Sequence, residues 1–251
     1  MALNKFGTAL AALAASALLL TGCSAGTPAA DSNAIKIGVS LADQKSLFYI
    51  AEADGIKTAC EAEGVECVIL SADNDGQRQV QQVNDLLAQD IDVLIFTAQD
   101  ATAASAGVKA AADASVPVIA VDQKPQDGNA DLLATYIATD SIKAAEALCL
   151  WLFEQNGGKG EIGILKGVLG STAETERTEG CNKALAATPG IKVAAEDVAN
   201  WDETEAYNAT TNMLQANPNI VAIFGESDAM GIGAAKAARD QKRKIISVGI
   251  D

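Results

Sequence analysis

The sequence contains no histidine, and aromatic residues make up only 4% of its 251 positions. Histidine is the commonest general acid or base in enzymes and a leading metal ligand, so its absence weighs against acid–base catalysis and against a metal site. Basic residues are also few: 18 lysines and arginines stand against 33 acidic residues, for a formal net charge of −15. Only residues 242–244 concentrate basic side chains. Because phosphate contacts need a basic face, we expect no nucleic-acid partner.

The N-terminus has the layout of a secretory signal. Lys5 precedes a run dominated by Ala and Leu, which ends in Leu-Thr-Gly directly before Cys23. The uncharged core, residues 9–20, is short for a transmembrane anchor, which is the alternative interpretation. The Leu-Thr-Gly-Cys segment resembles the lipobox of bacterial lipoproteins, in which the cysteine carries the lipid after cleavage. We predict a signal peptide over residues 1–22 and a lipidated, flexible tether over residues 23–34.

Export changes the interpretation of the cysteines. Once Cys23 is lipidated, four remain, an even number in a compartment that permits disulfides. Cys60 lies near the end of a predicted helix and Cys67 at the start of the next strand, while Cys149 and Cys181 lie on neighbouring predicted helices. We predict disulfides Cys60–Cys67 and Cys149–Cys181. Free buried thiols are the alternative, and a zinc site would need closer spacing than these cysteines have.

Strands alternate with helices in both halves of the exported chain. The apolar runs are nearly continuous, as in parallel strands that are covered on both faces, and the pattern predicts βαβ units. The predicted strands are 35–40, 66–70, 92–96 and 116–121 in the first half and 161–165, 191–195, 220–224 and 244–250 in the second half. Predicted helices include 46–63, 77–89, 101–114 and 203–216, a helix that Asp140 caps, and one that contains Arg177.

The segment 133–140 separates the two halves and contains no glycine or proline. We predict that it is an extended crossover between an N-terminal lobe, residues 35–134, and a C-terminal lobe, residues 135–251. Open α/β sheets bind ligands at the carboxyl ends of their strands. The predicted ligand site is therefore the cleft that this segment spans.

Polar side chains follow the strands of the first half at Ser40, Thr97, Gln99, Asp122 and Gln123. Asp122 follows a buried strand directly. A carboxylate in this position either caps a helix or accepts hydrogen bonds from ligand hydroxyls, and the local pattern leaves both roles open.

Three aromatic residues are candidates for contact with a ligand. Phe48 and Tyr49 open a helix, where an aromatic pair packs in the core or forms a platform for a ligand. Trp201 lies in a polar loop, and its ring either stacks on the apolar face of a sugar or base or packs in the core.

Two glycine-rich segments carry little evidence for phosphate binding. Residues 158–163 match GxGxxG but begin before a strand, whereas a dinucleotide site needs them between a strand and a helix. Residues 166–173 lack Gly-Lys-Ser/Thr and open the helix that contains Arg177. Arg177 either directs its guanidinium at a sugar or carboxylate or forms an exposed ion pair with Glu174 or Glu176.

Several segments together resemble the ribose- and galactose-type periplasmic sugar-binding proteins of ABC transporters, in the order and spacing of that family. They are residues 116–122, 137–140, 177–180 with 184–185, 227–230 and 248–251. The resemblance covers nearly the whole mature chain. It implies an α/β type I periplasmic binding protein fold, with two Rossmann-like lobes that have parallel sheets and are joined by a hinge.

The resemblance also implies a ligand site. Polar contacts are expected at Ser40, Asp122, Arg177, Ser227 and Asp251, aromatic platforms at Phe48 and Trp201, and further contacts at Thr97 and Gln123. Thr97 stands where the family often has Asn, Gln123 where it has Arg, and Ser227 where it has Asn, and residues 43–49 depart from the family's Asn-Pro-Phe-Phe loop. These departures change which hydroxyls are recognised, so a common pentose is not implied.

The family continues beyond the motif at residues 248–251 with another strand–helix–strand unit of the first lobe, on the order of 30 residues or more. We therefore expect a truncated chain whose first lobe is incomplete, with two of three hinge strands missing or cut. Strand 116–121 would then face an empty sheet edge, and we expect poor binding. A stable monomer with micromolar affinity in calorimetry would contradict this expectation.

The resemblance implies an exported, monomeric solute receptor that is lipid-anchored at the outer face of the cell membrane or in the periplasm. It would capture a sugar or sugar-like polyol by hinge closure and deliver it to the permease subunits of an ABC importer, with no cofactor, metal or catalytic residue. Alternatives are another hydroxylated ligand of autoinducer or nucleoside type and a sensory receptor partner. A carbohydrate-active enzyme would use Asp122 and Asp251 as paired carboxylates. A transcription regulator would need a DNA-binding unit before Ile35, where the export segment lies.

Overall fold

Two parallel β-sheets, each with helices on both faces, form the described part of the chain. The structure is a computed structural model that describes residues 35–125 and 128–251. The predicted signal peptide, Cys23 and the tether lie outside the described residues. No helix of the described residues is long and apolar enough to cross a membrane.

The first sheet has five strands in the order β2-β1-β3-β4-β5, and all of its pairings are parallel. Its strands are β1 (Lys36–Leu41), β2 (Glu66–Ser71), β3 (Val93–Phe96), β4 (Val118–Val121) and β5 (Thr135–Ile137). Its helices are α1 (Leu47–Glu63), α2 (Gly76–Leu87) and α3 (Ala101–Asp113), with a short 3-10 helix at Asn129–Leu132. We call these elements the first lobe.

The second sheet has four parallel strands in the order β7-β6-β8-β9. Its strands are β6 (Gly160–Lys166), β7 (Ile191–Val198), β8 (Ile220–Gly225) and β9 (Ile246–Val248). Its helices are α4 (Ser141–Gln155), α5 (Thr172–Ala187), α6 (Glu203–Ala216) and α7 (Asp228–Asp240). We call these elements the second lobe.

Side-chain caps explain where the helices begin. In each of the seven α-helices of the described residues, an oxygen of the N-cap side chain accepts a hydrogen bond from a backbone N–H of the first turn, which has no partner within the helix. Asp140 has this role in α4, as predicted, and the other caps are Ser46, Asp75, Asp100, Ser171, Asp202 and Ser227.

Each lobe has its own core. In the second lobe, Phe224 of β8 packs in a cluster with residues of α4 and α5, while its neighbour Ile223 packs in another cluster with residues of α6 and α7. Leu94 and Phe96 of β3 pack with α2 and α3 in the first lobe. Since successive side chains of a strand point to opposite faces, both faces of the second sheet are covered, as the continuous apolar strands predicted.

Two disulfides connect neighbouring elements in the pairs that the sequence predicted. Cys60 and Cys67 join the end of α1 to the start of β2, with Cα atoms 6.2 Å apart. Cys149 and Cys181 join α4 to α5, with Cα atoms 5.4 Å apart. The alternatives of free thiols and a zinc site do not hold for these four residues.

The segment between the lobes differs from the prediction. Of residues 133–140, only Thr135–Ile137 form a strand, and this strand pairs with β4 in the first sheet. The expectation that strand 116–121 faces an empty sheet edge is therefore wrong, because β5 occupies that edge. The lobe boundary at residue 134 stays a prediction, although the chain leaves the first sheet only after Ile137.

Candidate ligand site between the lobes

A pocket lies between the lobes, beside the carboxyl ends of strands from both sheets. It has about 280 Å³ of empty volume, part of which is open to solvent. The first lobe lines it with Ser46, Phe48, Tyr49, Asp122 and Gln123, and the second with Ala173, Arg177, Trp201, Ser227 and Asp251. Seven of the residues that the sequence analysis predicted are therefore brought together: Phe48, Asp122, Gln123, Arg177, Trp201, Ser227 and Asp251.

Asp122 follows β4 directly and has a left-handed backbone with φ of 57°. Its Oδ2 accepts a hydrogen bond of 3.1 Å from Gln123 Nε2. Burial raises the pKa of Asp122, and the positive charge of Arg177 partly opposes the rise. Asp122 caps no helix of the described residues, so the capping alternative is wrong. Its carboxylate lies in the pocket as a hydrogen-bond acceptor.

Arg177 is buried near the start of α5, and only 3% of it is exposed. Its Nη1 donates hydrogen bonds to the carbonyl oxygens of Glu226 at 2.5 Å and Ile250 at 3.0 Å, and lies 3.8 Å from Asp251 Oδ1. Its Nε has no hydrogen-bond partner among the described residues. The alternative of an exposed ion pair with Glu174 or Glu176 is therefore wrong, and the guanidinium of this pocket-lining residue keeps a donor without a protein partner among the described residues.

Asp251 adds a second carboxylate to the pocket. Its Oδ2 accepts a hydrogen bond of 3.3 Å from the backbone N–H of Asp228. Burial raises the pKa of Asp251 to about 6, although Arg177 acts to lower it. With Asp122, the pocket holds two carboxylates beside one guanidinium. Such an arrangement accepts hydrogen bonds from hydroxyl groups more readily than it holds an anion.

Ser227 has a structural role at the same pocket. Its Oγ accepts a hydrogen bond of 3.2 Å from the backbone N–H of Met230 and so caps α7. Because a hydroxyl can accept and donate at once, its hydrogen remains available.

The aromatic residues contact the pocket from both lobes. The rings of Phe48 and Tyr49 meet edge to face, with centroids 5.2 Å apart. Tyr49 is 5% exposed, and its hydroxyl makes no hydrogen bond within residues 35–125 and 128–251. Both residues line the pocket, and Tyr49 is buried whereas Phe48 is half-buried, so the core interpretation holds for Tyr49 alone.

Trp201 depends on a glycine for its position. A Cβ added at Gly167 would fall 1.9 Å from the Trp201 ring, so the ring lies directly against that backbone. The guanidinium carbon of Arg177 is 5.5 Å from the ring centroid. Trp201 is 8% exposed, belongs to the second-lobe core and lines the pocket.

Gln123 bonds across the lobes. Its Oε1 accepts hydrogen bonds from the backbone N–H groups of Thr172 at 2.8 Å and Ala173 at 3.3 Å. Its Nε2 donates to Asp122, as described above. The oxygen and the nitrogen of the side-chain amide therefore both have protein partners. The sequence analysis predicted that Gln123 contacts the ligand and did not predict these bonds.

Two predicted contacts do not line the pocket. Ser40 and Thr97 are both fully buried. Ser40 Oγ has no hydrogen-bond partner among the described residues, and Thr97 Oγ1 donates to Glu52 Oε1 at 2.5 Å. Burial raises the pKa of Glu52 to about 7, against the effect of that hydrogen bond. These groups lie outside the pocket lining, and α1 places Glu52 against Thr97 at the end of β3.

The sequence analysis missed Glu226, which organises the second-lobe wall. Its Oε2 accepts a hydrogen bond of 2.8 Å from the backbone N–H of Gly167, and its Oε1 accepts one of 2.6 Å from Thr178 Oγ1. Burial raises the pKa of Glu226 to about 7. The signal was present in the sequence, since Glu226 directly follows a buried strand, as Asp122 does.

The chain is similar in sequence to known proteins. The periplasmic binding protein domain matches residues 37–251. The xylitol-binding protein of Mycolicibacterium smegmatis is 35% identical over 99% of this chain and 70% of its own length. The ribose import binding protein RbsB of Bacillus subtilis is 30% identical over 95% of this chain and 79% of its own length.

Solved structures show the same fold. A solute-binding protein from Actinobacillus succinogenes with bound D-allose is 29% identical, with a TM-score of 0.75, over 83% of this chain and 74% of that one. A solute-binding protein from Bacillus halodurans with bound myo-inositol is 26% identical, with a TM-score of 0.81, over 88% and 77%. The predicted resemblance and the type I fold are confirmed, and the chain belongs to the periplasmic binding protein domain family.

Proposed function

We propose that this protein is the solute receptor of an ABC importer and binds a sugar or sugar-like polyol in the pocket between its lobes. One observation carries the proposal: Asp122 of the first lobe and Arg177 and Asp251 of the second surround one pocket together with aromatic rings. The named ligands of the similar proteins, which include xylitol, ribose, D-allose and myo-inositol, are rich in hydroxyl groups and carry no charge.

Each side chain has a defined part in this binding mode. Asp122 and Asp251 accept hydrogen bonds from ligand hydroxyls, and charged acceptors form stronger bonds than neutral ones. Arg177 Nε donates to a ligand oxygen. Phe48 and Trp201 cover the apolar faces of the ligand. Gln123 lines the pocket and bonds to the second lobe, whereas Ser40 and Thr97 are buried and do not line the pocket.

Closure follows from the position of these groups on different lobes. A ligand that touches Asp122 and Arg177 at once makes its full set of contacts only when the lobes are together, and so stabilises the closed form. Micromolar affinity corresponds to about −8 kcal/mol. Several charge-assisted hydrogen bonds and two aromatic contacts are sufficient for this value after the cost of ordering.

Calorimetry with xylitol, ribose, D-allose and myo-inositol tests the proposal. We expect at least one of them to bind, and Asp122→Ala and Arg177→Ala to abolish detectable binding. Asp113→Ala and Arg78→Ala are matched controls, because both residues lie in exposed ion pairs. Circular dichroism must show folded variants. Retained binding in both pocket variants would refute the site assignment. Mass spectrometry of the same samples should detect the ligand with its mass unchanged, because a receptor, unlike an enzyme, does not convert its ligand.

We also propose that the chain is exported as a monomer and attached to the membrane through a lipid on Cys23. This anchor would keep the receptor close to its permease. The support is the Leu-Thr-Gly-Cys motif and the family of exported binding proteins to which the chain belongs. Cell fractionation should find the protein with the membrane and its Cys23→Ala variant elsewhere. An unchanged membrane fraction would refute the anchor.

A further inference from the structure

We propose that Gln123 is a positioning residue, which couples the carboxylate of Asp122 to the closing of the two lobes. In this role its side-chain oxygen holds the first turn of α5, while its side-chain nitrogen orients Asp122. The inference rests on the proposed function, because closure is the step that it links to the ligand. It replaces the ligand contact that the sequence predicted at this position.

The first contact is with the N-terminus of α5. The first backbone N–H groups of a helix have no partners within the helix. Ser171 caps α5 by accepting from Glu174, and Gln123 Oε1 from the other lobe takes the N–H groups of Thr172 and Ala173 at 2.8 and 3.3 Å. Since 3% of Gln123 is exposed, water does not compete easily for these bonds.

The neighbouring residue extends the connection. The backbone N–H of Lys124 donates to Thr172 Oγ1 at 3.1 Å, and that hydroxyl donates to the carbonyl oxygen of Lys124 at 2.9 Å. Lys124 Nζ also lies 3.8 Å from Glu176 Oε1. The segment after β4 and the first turns of α5 therefore form a connected network across the cleft, with Gln123 beside the pocket.

The same side chain reaches the binding residues of both lobes. Gln123 Nε2 donates to Asp122 Oδ2 at 3.1 Å, and Asp122 Oδ1 keeps no hydrogen-bond partner among the described residues. The helix that Gln123 holds carries Arg177, five residues beyond Thr172. Bringing the lobes together therefore places Asp122 Oδ1 and Arg177 Nε in the same pocket.

The contacts of Gln123 require an acceptor and a donor in one side chain. A guanidinium has five donors and no acceptor, so it cannot accept from the N–H groups of Thr172 and Ala173. A primary amide has both an acceptor and donors. Glutamine can therefore accept from the N–H groups of α5 and donate to Asp122 at the same time, whereas arginine cannot.

Three substitutions separate the two halves of the role. Gln123→Met has a similar length and loses both contacts. Gln123→Glu keeps an acceptor for the N-terminus of α5 but cannot donate to Asp122 when ionised, and Gln123→Arg keeps donors but has no acceptor. Gln82→Met is the control, because the Gln82 side chain bonds only to the backbone oxygen of Ser71 within the first lobe.

Hydrogen exchange tests the contact without any ligand. We expect the amides of Thr172 and Ala173 to exchange at least tenfold faster in Gln123→Met and Gln123→Arg than in the wild type, and at the wild-type rate in Gln123→Glu and Gln82→Met. Unchanged exchange in Gln123→Met would overturn the proposal. This result does not depend on whether a sugar binds.

Binding of the same four sugars and polyols tests the coupling. We expect all three Gln123 variants to raise the Kd at least tenfold, chiefly through faster dissociation in stopped-flow measurements, while Gln82→Met leaves it unchanged. We expect Gln123→Glu to move the pH dependence of binding as well, because it places a second carboxylate beside Asp122. A ligand dissociation rate in Gln123→Met equal to that of the wild type would overturn the coupling. If the wild type binds none of the four compounds, the proposed function is refuted instead.

Discussion

The two lobes build their sides of the pocket in different ways. In the second lobe, Arg177 is fixed by carbonyl oxygens, Trp201 lies against Gly167, and Glu226 uses both carboxyl oxygens. In the first lobe, the hydroxyl of Tyr49 lines the pocket and makes no hydrogen bond within the described residues. Ser40 Oγ and Glu52 Oε2, which do not line the pocket, also have no partner there.

This difference suggests separate roles for the two walls, one of which is rigid and the other selective. In the second lobe, Arg177 Nε also has no partner among the described residues, and we proposed above that it donates to the ligand. A preorganised wall loses little entropy when a ligand binds. An unpaired polar atom is costly when buried. Of the unpaired atoms in the first lobe, the Tyr49 hydroxyl belongs to a residue that lines the pocket, so a hydroxyl-rich ligand can pair with it. We infer that the second lobe supplies affinity and that the first distinguishes between similar ligands.

The strongest test of the rigid wall is Gly167→Ala. The new methyl group would collide with the Trp201 ring, so the ring must move. We expect unfolding free energy to fall by about 3 kcal/mol, as in overpacked cores, and ligand affinity to fall by more than about tenfold. Calorimetry and denaturant titration measure the two effects.

Gly55→Ala is the matched control for this substitution. Gly55 lies inside α1, and a Cβ there meets nothing within 4 Å. Alanine should stabilise that helix by about 0.5–1 kcal/mol. If Gly167→Ala bound ligand as well as Gly55→Ala does, the Trp201 wall would not be rigid.

A smaller effect is expected from the charge of Glu226. Its folded pKa is about 7, above the ordinary value of 4.5, so the folded state binds the proton more tightly than the unfolded state. The stability from this group is therefore present at pH 4 and is lost as the pH rises through about 7. Over that range the loss should be roughly 2–3 kcal/mol.

Glu226→Gln should remove this pH dependence. The amide oxygen still accepts from Gly167 and the amide nitrogen donates to Thr178 Oγ1, so the wall keeps its bonds. Thermal melting between pH 4.5 and 8 measures the slope, with exposed Glu154→Gln as the control. A slope equal to that of the wild type would show that Glu226 is not the group responsible.

Much of the fold could be predicted because its determinants are local. Helix α6 begins after Asp202 and ends at Ala216, as predicted, since the cap and the apolar spacing lie within the helix itself. Strand β5 was harder to predict. Its three residues pair with β4 rather than spanning to the second lobe, and nothing in its own sequence specifies that neighbour.

The site could be predicted where a side chain follows a strand, as Asp122 does. It was harder to predict where a side chain contacts a residue that is far away along the sequence. Gln123 bonds to Thr172, 49 residues further along the chain, and Trp201 lies on Gly167. Thr97 follows a strand too, yet it is fully buried and donates to Glu52 of α1, while Ser40 is buried inside β1. Their burial depends on how helix and sheet pack, which the spacing of residues in either element does not encode.

The smallest predicted effect concerns the hydroxyl of Tyr49, and it tests the selective wall directly. Because that hydroxyl makes no hydrogen bond within the described chain, Tyr49→Phe should change unfolding free energy by less than about 0.5 kcal/mol. Tyr136→Phe is the control: its hydroxyl donates to the carbonyl oxygen of Asp122 at 2.8 Å, and its loss should cost about 1 kcal/mol. Calorimetry of Tyr49→Phe with the four compounds should change their relative affinities, because the hydroxyl contacts only ligands that place an oxygen beside it. Equal losses for every compound would show that the first-lobe wall does not select between them.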